Sequence, residues 1–140
     1  VYGEKNDSRA ILMKPLTGMN KSGKAIKEFC INQGLLLSNV HVIVDDIDLP
    51  LGKLRIRPKG GDGCHRGMES IIYQNRDNNF PRIRFGIAVG TKLRPSEQYV
   101  LKDFKESDQN LADEMIIRAA DAAELIFKDG LNKAMNKYNA

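Results

Sequence analysis

The chain has 140 residues, 22 Lys and Arg against 18 Asp and Glu, a net charge of +4 and an isoelectric point near 9.1. That length fits one domain with a core of its own, and 41% hydrophobic with 29% charged residues excludes wholesale disorder. No run of about 18 apolar residues occurs, which excludes a helical membrane span, and Val1–Ser8 lacks the apolar stretch of a secretion signal.

Arg9-Ala10-Ile11-Leu12-Met13-Lys14 reads as a short strand closed by Pro15. Thr17–Gly23 is a loop into a helix, with Ser22 as the expected cap and Ala25, Ile26, Phe29 and Cys30 at helical spacing. Gly34 ends that helix. Val40–Val44 is a continuous apolar run, the kind expected in a strand covered on both faces. Leu54-Arg55-Ile56-Arg57 alternates as a strand with one wet face should.

Gly67–Gln74 carries Met68, Ile71 and Ile72 at helical spacing, and Arg82–Val89 reads as another strand. Thr91–Gln98 is expected to be a loop, with Tyr99-Val100-Leu101 packing back briefly. Ser107, with Asn110 and Asp113, opens a long helix whose stripe is Leu111, Met115, Ile116, Ala119, Ala122, Ala123 and Ile126. Gly130 breaks it, and Leu131–Tyr138 forms a last short helix. The alternation of strands and helices predicts an α/β fold, a sheet layered with helices, as a single domain over residues 1–140.

Charge distribution is more telling than its sum. Lys53, Arg55, Arg57 and Lys59 recur at every second position and share one face of a strand, and Arg82 and Arg84 repeat the pattern. Two basic stripes flanking a glycine-rich loop point toward a polyanionic partner. Cys30 and Cys64 cannot build a disulfide framework and imply a reducing compartment. Neither Cys-x-x-Cys nor His-x-x-x-His occurs, so no metal site is expected. Cys64 beside His65 is not read as a nucleophile, because neighbours in an extended segment point apart. The glycine spacing fits no dinucleotide or P-loop pattern.

The order of motifs is the strongest signal. Asp45-Asp46-Ile47-Asp48-Leu49-Pro50-Leu51-Gly52 precedes the basic strand, and Gly60-Gly61-Asp62-Gly63-Cys64-His65-Arg66-Gly67 follows it. This closely resembles the bacterial-type peptidyl-tRNA hydrolases, with D-E-L-D-L-P-x-G and then G-G-x-G-x-H-N-G. Pro15–Ala25 resembles the family's P-x-T-x-M-N-x-S-G-x-A, Arg82–Ile87 its R-L-R-I-G-I, Gln98–Leu101 its G-Y-V-L, and Phe127–Asn136 its C-terminal F-x-D-G-x-x-x-A-x-N. The resemblance implies a mixed, mainly parallel sheet with helices on both faces. It also implies hydrolysis of the ester between a peptide and the 3′ ribose of tRNA, which recycles tRNA in translation. A non-catalytic RNA-binding or splicing-cofactor relative on the same fold is the alternative.

Ester hydrolysis needs a water activated by a base, an orienter for that base and donors for the oxyanion. The resemblance assigns the orienting acid to Asp45, the substrate-holding amide to Asn20, and the pocket rim to His65, the leading base if this chain alone turns over. It places Arg57 and Arg84 on tRNA phosphate. Arg66 stands where the family has Asn and cannot copy an amide's paired donor and acceptor, so a phosphate contact is expected of it. No T-R-H-N segment, which carries the family's base, occurs here, and His41 is expected to be structural. The resemblance begins near Ser8–Arg9, so a first strand and helix are expected to be missing, and the 140-residue chain to hydrolyse its substrate poorly. The expected partner is peptidyl-tRNA, with no cofactor and no membrane, for a monomer in the cytoplasm or in an organelle with its own translation.

Overall fold

The computed structural model describes residues 2–5, 8–90 and 95–139. Its contacts gather into two compact units: residues 1–40 with 58–81, and residues 41–57 with 82–140.

In the first unit, β1 (Tyr2–Lys5) and β2 (Ser8–Ile11) pair antiparallel from Lys5↔Ser8 to Tyr2↔Ile11. The strand expected at Arg9–Lys14 therefore starts one residue earlier, at Ser8, and ends at Ile11, which pairs with Tyr2. After a tight helical turn at Met19–Lys21, α1 (Ser22–Gln33) buries Ser22, Gly23, Ile26 and Cys30 along one stripe. Ser22 is not the cap. It is the first helical residue, and its hydroxyl donates to the Met19 carbonyl at 2.8 Å. Gly34 ends the helix as expected, in the left-handed region at φ 64°, its N–H directed at the carbonyls of Cys30 and Ile31.

α2 (Arg66–Asn75) lies against α1, burying Gly67, Met68, Ser70 and Ile71. The approach is very close. A Cβ on Gly23 would lie 2.0 Å from the Ser70 carbonyl oxygen. The Gly23 N–H donates to Ser70 Oγ at 3.0 Å, and Lys27 Nζ reaches the Gln74 carbonyl at 3.0 Å.

In the second unit, β3 (Val42–Pro50), β4 (Leu54–Arg57) and β5 (Arg82–Ala88) form a sheet ordered β3-β5-β4. β3 runs parallel to β5 and β4 antiparallel to it, so the sheet is mixed, as expected. β3 begins later than expected and runs on through the carboxylates. It is a terminal strand of this order and not covered on both faces: Val44 is 6% exposed, Ile43 48%. Between Asp46↔Gly86 and Pro50↔Ala88, four residues of β3 advance against two of β5, and the resulting bulge presses on Gly86. A Cβ there would lie 2.0 Å from the Pro50 carbonyl oxygen.

Leu54, Ile56, Ile83 and Phe85 share the face covered by α4 (Glu106–Asp129) and α5 (Leu131–Tyr138). The α4 stripe is Ala112, Met115, Ala119, Ala122 and Ile126. Leu111 and Ile116, expected in it, lie on the exposed flanks. Ser107 does not cap α4, which starts at Glu106 with acidic Glu106 and Asp108 suiting the positive end of the helix dipole.

Of the loop expected over Thr91–Gln98, residues 91–94 lie outside the described residues, and α3 (Ser96–Tyr99) follows. Only Tyr99 of Tyr99–Leu101 packs back. Its hydroxyl donates to the Ile87 carbonyl at 2.6 Å and accepts the Val89 N–H at 2.9 Å, whereas Leu101 is 85% exposed. Among the described residues no helix is long and apolar enough to cross a membrane.

Candidate nucleic-acid and ester-hydrolysis site

Three of the expected site residues sit in the first unit, and the packing of α1 on α2 brings them together. Asn20 lies exposed in the turn ahead of α1, and His65 and Arg66 lie at the start of α2. The two segments abut so tightly that a Cβ on Gly67 would lie 2.7 Å from Met19 Sδ. Met19, adjacent to Asn20, was not anticipated as part of this junction, since only the tertiary approach reveals it.

His65 has a defined structural task. It is the N-cap of α2, with Nδ1 accepting the Gly67 N–H at 3.1 Å and the Met68 N–H at 3.2 Å. Two donors aimed at Nδ1 place the ring proton on Nε2, so His65 is oriented to donate rather than to take up a proton through Nδ1. The loop before it is braced by Asp62, whose carboxylate accepts the Cys64 N–H at 2.6 Å while Cys64 takes a left-handed φ of 59°. Cys64 is exposed. Arg66 is exposed on the first turn of α2.

The second unit holds Asp45, Arg57 and Arg84. Asp45 pairs in register with Phe85 and is partly exposed. His41, just ahead of β3, is four residues from Asp45, about 13 Å along an extended strand. It cannot hydrogen-bond that carboxylate. Desolvation draws its imidazole below the ordinary histidine range, in keeping with the structural reading, although the residue as a whole keeps an exposed surface.

On the sheet face opposite the α4–α5 core, Arg55 is in register with Arg84 and Arg57 with Arg82. The alternation expected for β4 holds, with Leu54 and Ile56 buried and Arg55 and Arg57 exposed. The second stripe does not stay wet. Arg82 is only 1% exposed, and desolvation, with the neighbouring Arg84 charge adding to it, pushes its guanidinium below the ordinary range. Arg84 is partly buried, its Nη1 3.0 Å from Asp46 Oδ2. Asp46 itself is 9% exposed, and its other oxygen accepts the Asp48 N–H at 2.9 Å. The sequence marks Asp46 only as a turn acid. The pairing with Arg84 depends on a parallel register that no local pattern encodes.

β4 is the last strand in its sheet, and its outer edge is closed. The Asn139 side-chain amide donates to the Ile56 carbonyl at 3.0 Å and accepts the Ile56 N–H at 2.7 Å, holding the backbone between Arg55 and Arg57. Among the described residues no group of three or more His, Cys, Asp or Glu could hold a metal ion.

Comparison with known proteins bears on the same residues. The family model for peptidyl-tRNA hydrolase matches residues 1–140, so the likeness begins before the expected Ser8–Arg9. The peptidyl-tRNA hydrolase of Thermoanaerobacter sp. (strain X514) is 45% identical over 141 residues, covering 99% of this chain and 76% of that protein. That of Desulforudis audaxviator (strain MP104C) is 41% identical over 138 residues, covering 99% of this chain and 69% of that protein. The crystal structure of peptidyl-tRNA hydrolase from Acinetobacter baumannii superposes with a TM-score of 0.87 at 30% identity, covering 99% of this chain and 70% of that one.

Proposed function

Because the chain belongs to the peptidyl-tRNA hydrolase family, we propose that it acts on peptidyl-tRNA, hydrolysing the ester between the peptide and the 3′ ribose. The family match over the whole chain carries this reading, and the placement of the site residues supports it. Asp45 serves as the acid that orients the base, a histidine that the family carries in a T-R-H-N segment not found among these 140 residues, fixing its tautomer and stabilising the imidazolium that forms. Asn20 supplies an amide for the substrate end or the water. His65, held by its cap bonds, donates at the rim, and Arg66 adds a cation beside it. Arg57 and Arg84 bind tRNA phosphate on the basic face of the sheet, where exposed Arg55 reinforces the positive potential.

The test measures turnover of peptidyl-tRNA by the gene product containing this chain, and tRNA binding as a function of salt. Asp45→Asn should lower kcat by on the order of 10²–10⁴, the usual worth of general acid–base assistance, with tRNA binding intact. Arg57→Ala should weaken binding uniformly across tRNA species and reduce the salt slope by roughly one. Full turnover in the Asp45→Asn protein would remove Asp45 from the mechanism. Binding without turnover in the parent would leave a non-catalytic RNA-binding protein on this fold.

A further inference from the structure

Within the phosphate-binding reading of the basic face, Arg84 differs from exposed Arg55 and Arg57 in meeting a carboxylate. Its guanidinium meets a carboxylate that is itself nearly buried, Asp46, across the parallel β3–β5 pair. A long cation without such a partner samples many rotamers and loses that freedom on binding. A guanidinium already held by a carboxylate loses less, and its fork matches phosphate geometry.

Asp46 is well built to hold it. One oxygen contacts Arg84 Nη1, and the other accepts the Asp48 N–H inside the β3 bulge. The carboxylate is thereby oriented from its own strand, and the bulge is packed onto Gly86. Exposed Arg55 stands in register with Arg84 on the next strand, and the Asp46 carboxylate offsets the like-charge repulsion between them.

We propose that Asp46 is a positioning residue for phosphate recognition, holding the Arg84 guanidinium in the orientation that receives a tRNA phosphate. This rests on the proposed tRNA-binding role of Arg84 and deepens it. Asp46 itself does not touch RNA. Its carboxylate lowers the local positive potential slightly, and the gain lies in the fixed geometry of the cation.

The experiment titrates deacylated tRNA against the parent, Asp46→Asn, Arg84→Ala and the double variant over a range of salt, with thermal melting as a check on folding. Losing one phosphate contact costs about eightfold in affinity at 0.1 M salt, from a slope near 0.9 per contact. Arg84→Ala should show that loss. Asp46→Asn keeps the acceptor for the Asp48 N–H, and should weaken binding at least about threefold by releasing one contact partly or wholly. It should add nothing on top of Arg84→Ala, and Asp46→Glu should restore most of the affinity. Tighter binding by Asp46→Asn would mean that the carboxylate competes with phosphate and overturns the proposal. So would an equal effect of Asp46→Asn with and without Arg84, which marks a merely structural acid. If Arg84→Ala binds like the parent, the underlying assignment of Arg84 fails instead.

Discussion

Gly23→Ala tests how the first unit brings α1 and α2 together. In an open helix the change would stabilise by up to about 1 kcal/mol. Here the new methyl would sit 2.0 Å from the Ser70 carbonyl oxygen, 2.4 Å from its carbon and 2.8 Å from the Ile71 nitrogen. These are backbone atoms of α2 and cannot rotate away, so the helices must separate by more than an ångström. Overpacking of this kind costs about 1–3 kcal/mol, and breaking the buried Gly23–Ser70 hydrogen bond costs about 1–3 more. Against the propensity gain the net loss is about 1–5 kcal/mol. With an m value near 2 kcal/mol/M, the urea midpoint should fall by about 0.5–2.5 M. Gly34→Ala is the control: no atom lies within 4 Å of its Cβ site, and its φ of 64° limits the cost to strain, about 1–2 kcal/mol. Because α1 and α2 carry Asn20 and His65, the Gly23→Ala protein at low denaturant should also show reduced turnover. A midpoint within about 0.3 M of the parent, or above it, would refute the close-contact account.

Burial pushes the Cys30 thiol up, so above about pH 8.5 the unfolded chain deprotonates first. Stability from this group is intact below that value and falls as pH rises through it. Iodoacetamide at pH 8 should label exposed Cys64 and spare Cys30 until the protein unfolds, and equal labelling rates would contradict the burial. Asn139→Ala should cost about 1–2 kcal/mol, less than a fully buried loss because water can reach a strand edge. The Ile56 amide should then exchange hydrogen faster, and unchanged exchange at Ile56 would show that the edge is protected by something else.

What the sequence by itself determined is the local and the ordered. Hydrophobic periodicity located most of α1, α2 and α4, and alternation located β4 with its exposed Arg55 and Arg57, because those signals are set by residues a few positions apart. Gly34 was legible as a stop because only the left-handed conformation is needed there. The succession of the aspartate run, basic strand and glycine loop pointed to the family without any structure.

The tertiary structure decided everything that depends on which segment lies beside which. β2 begins at Ser8 because β1 pairs with it from there, and β3 extends through Asp45 because β5 pairs with it that far. Arg82 and Arg84 look equivalent in the chain, yet one is buried and the other is paired with Asp46. His65 reads as a loop histidine but caps a helix, and Asn139, which no local pattern marks, bonds the Ile56 backbone at the edge of β4. In each case the deciding partner is remote in sequence or depends on a backbone angle. The free energy of the contact comes from a burial or a hydrogen bond that exists only once the chain has folded.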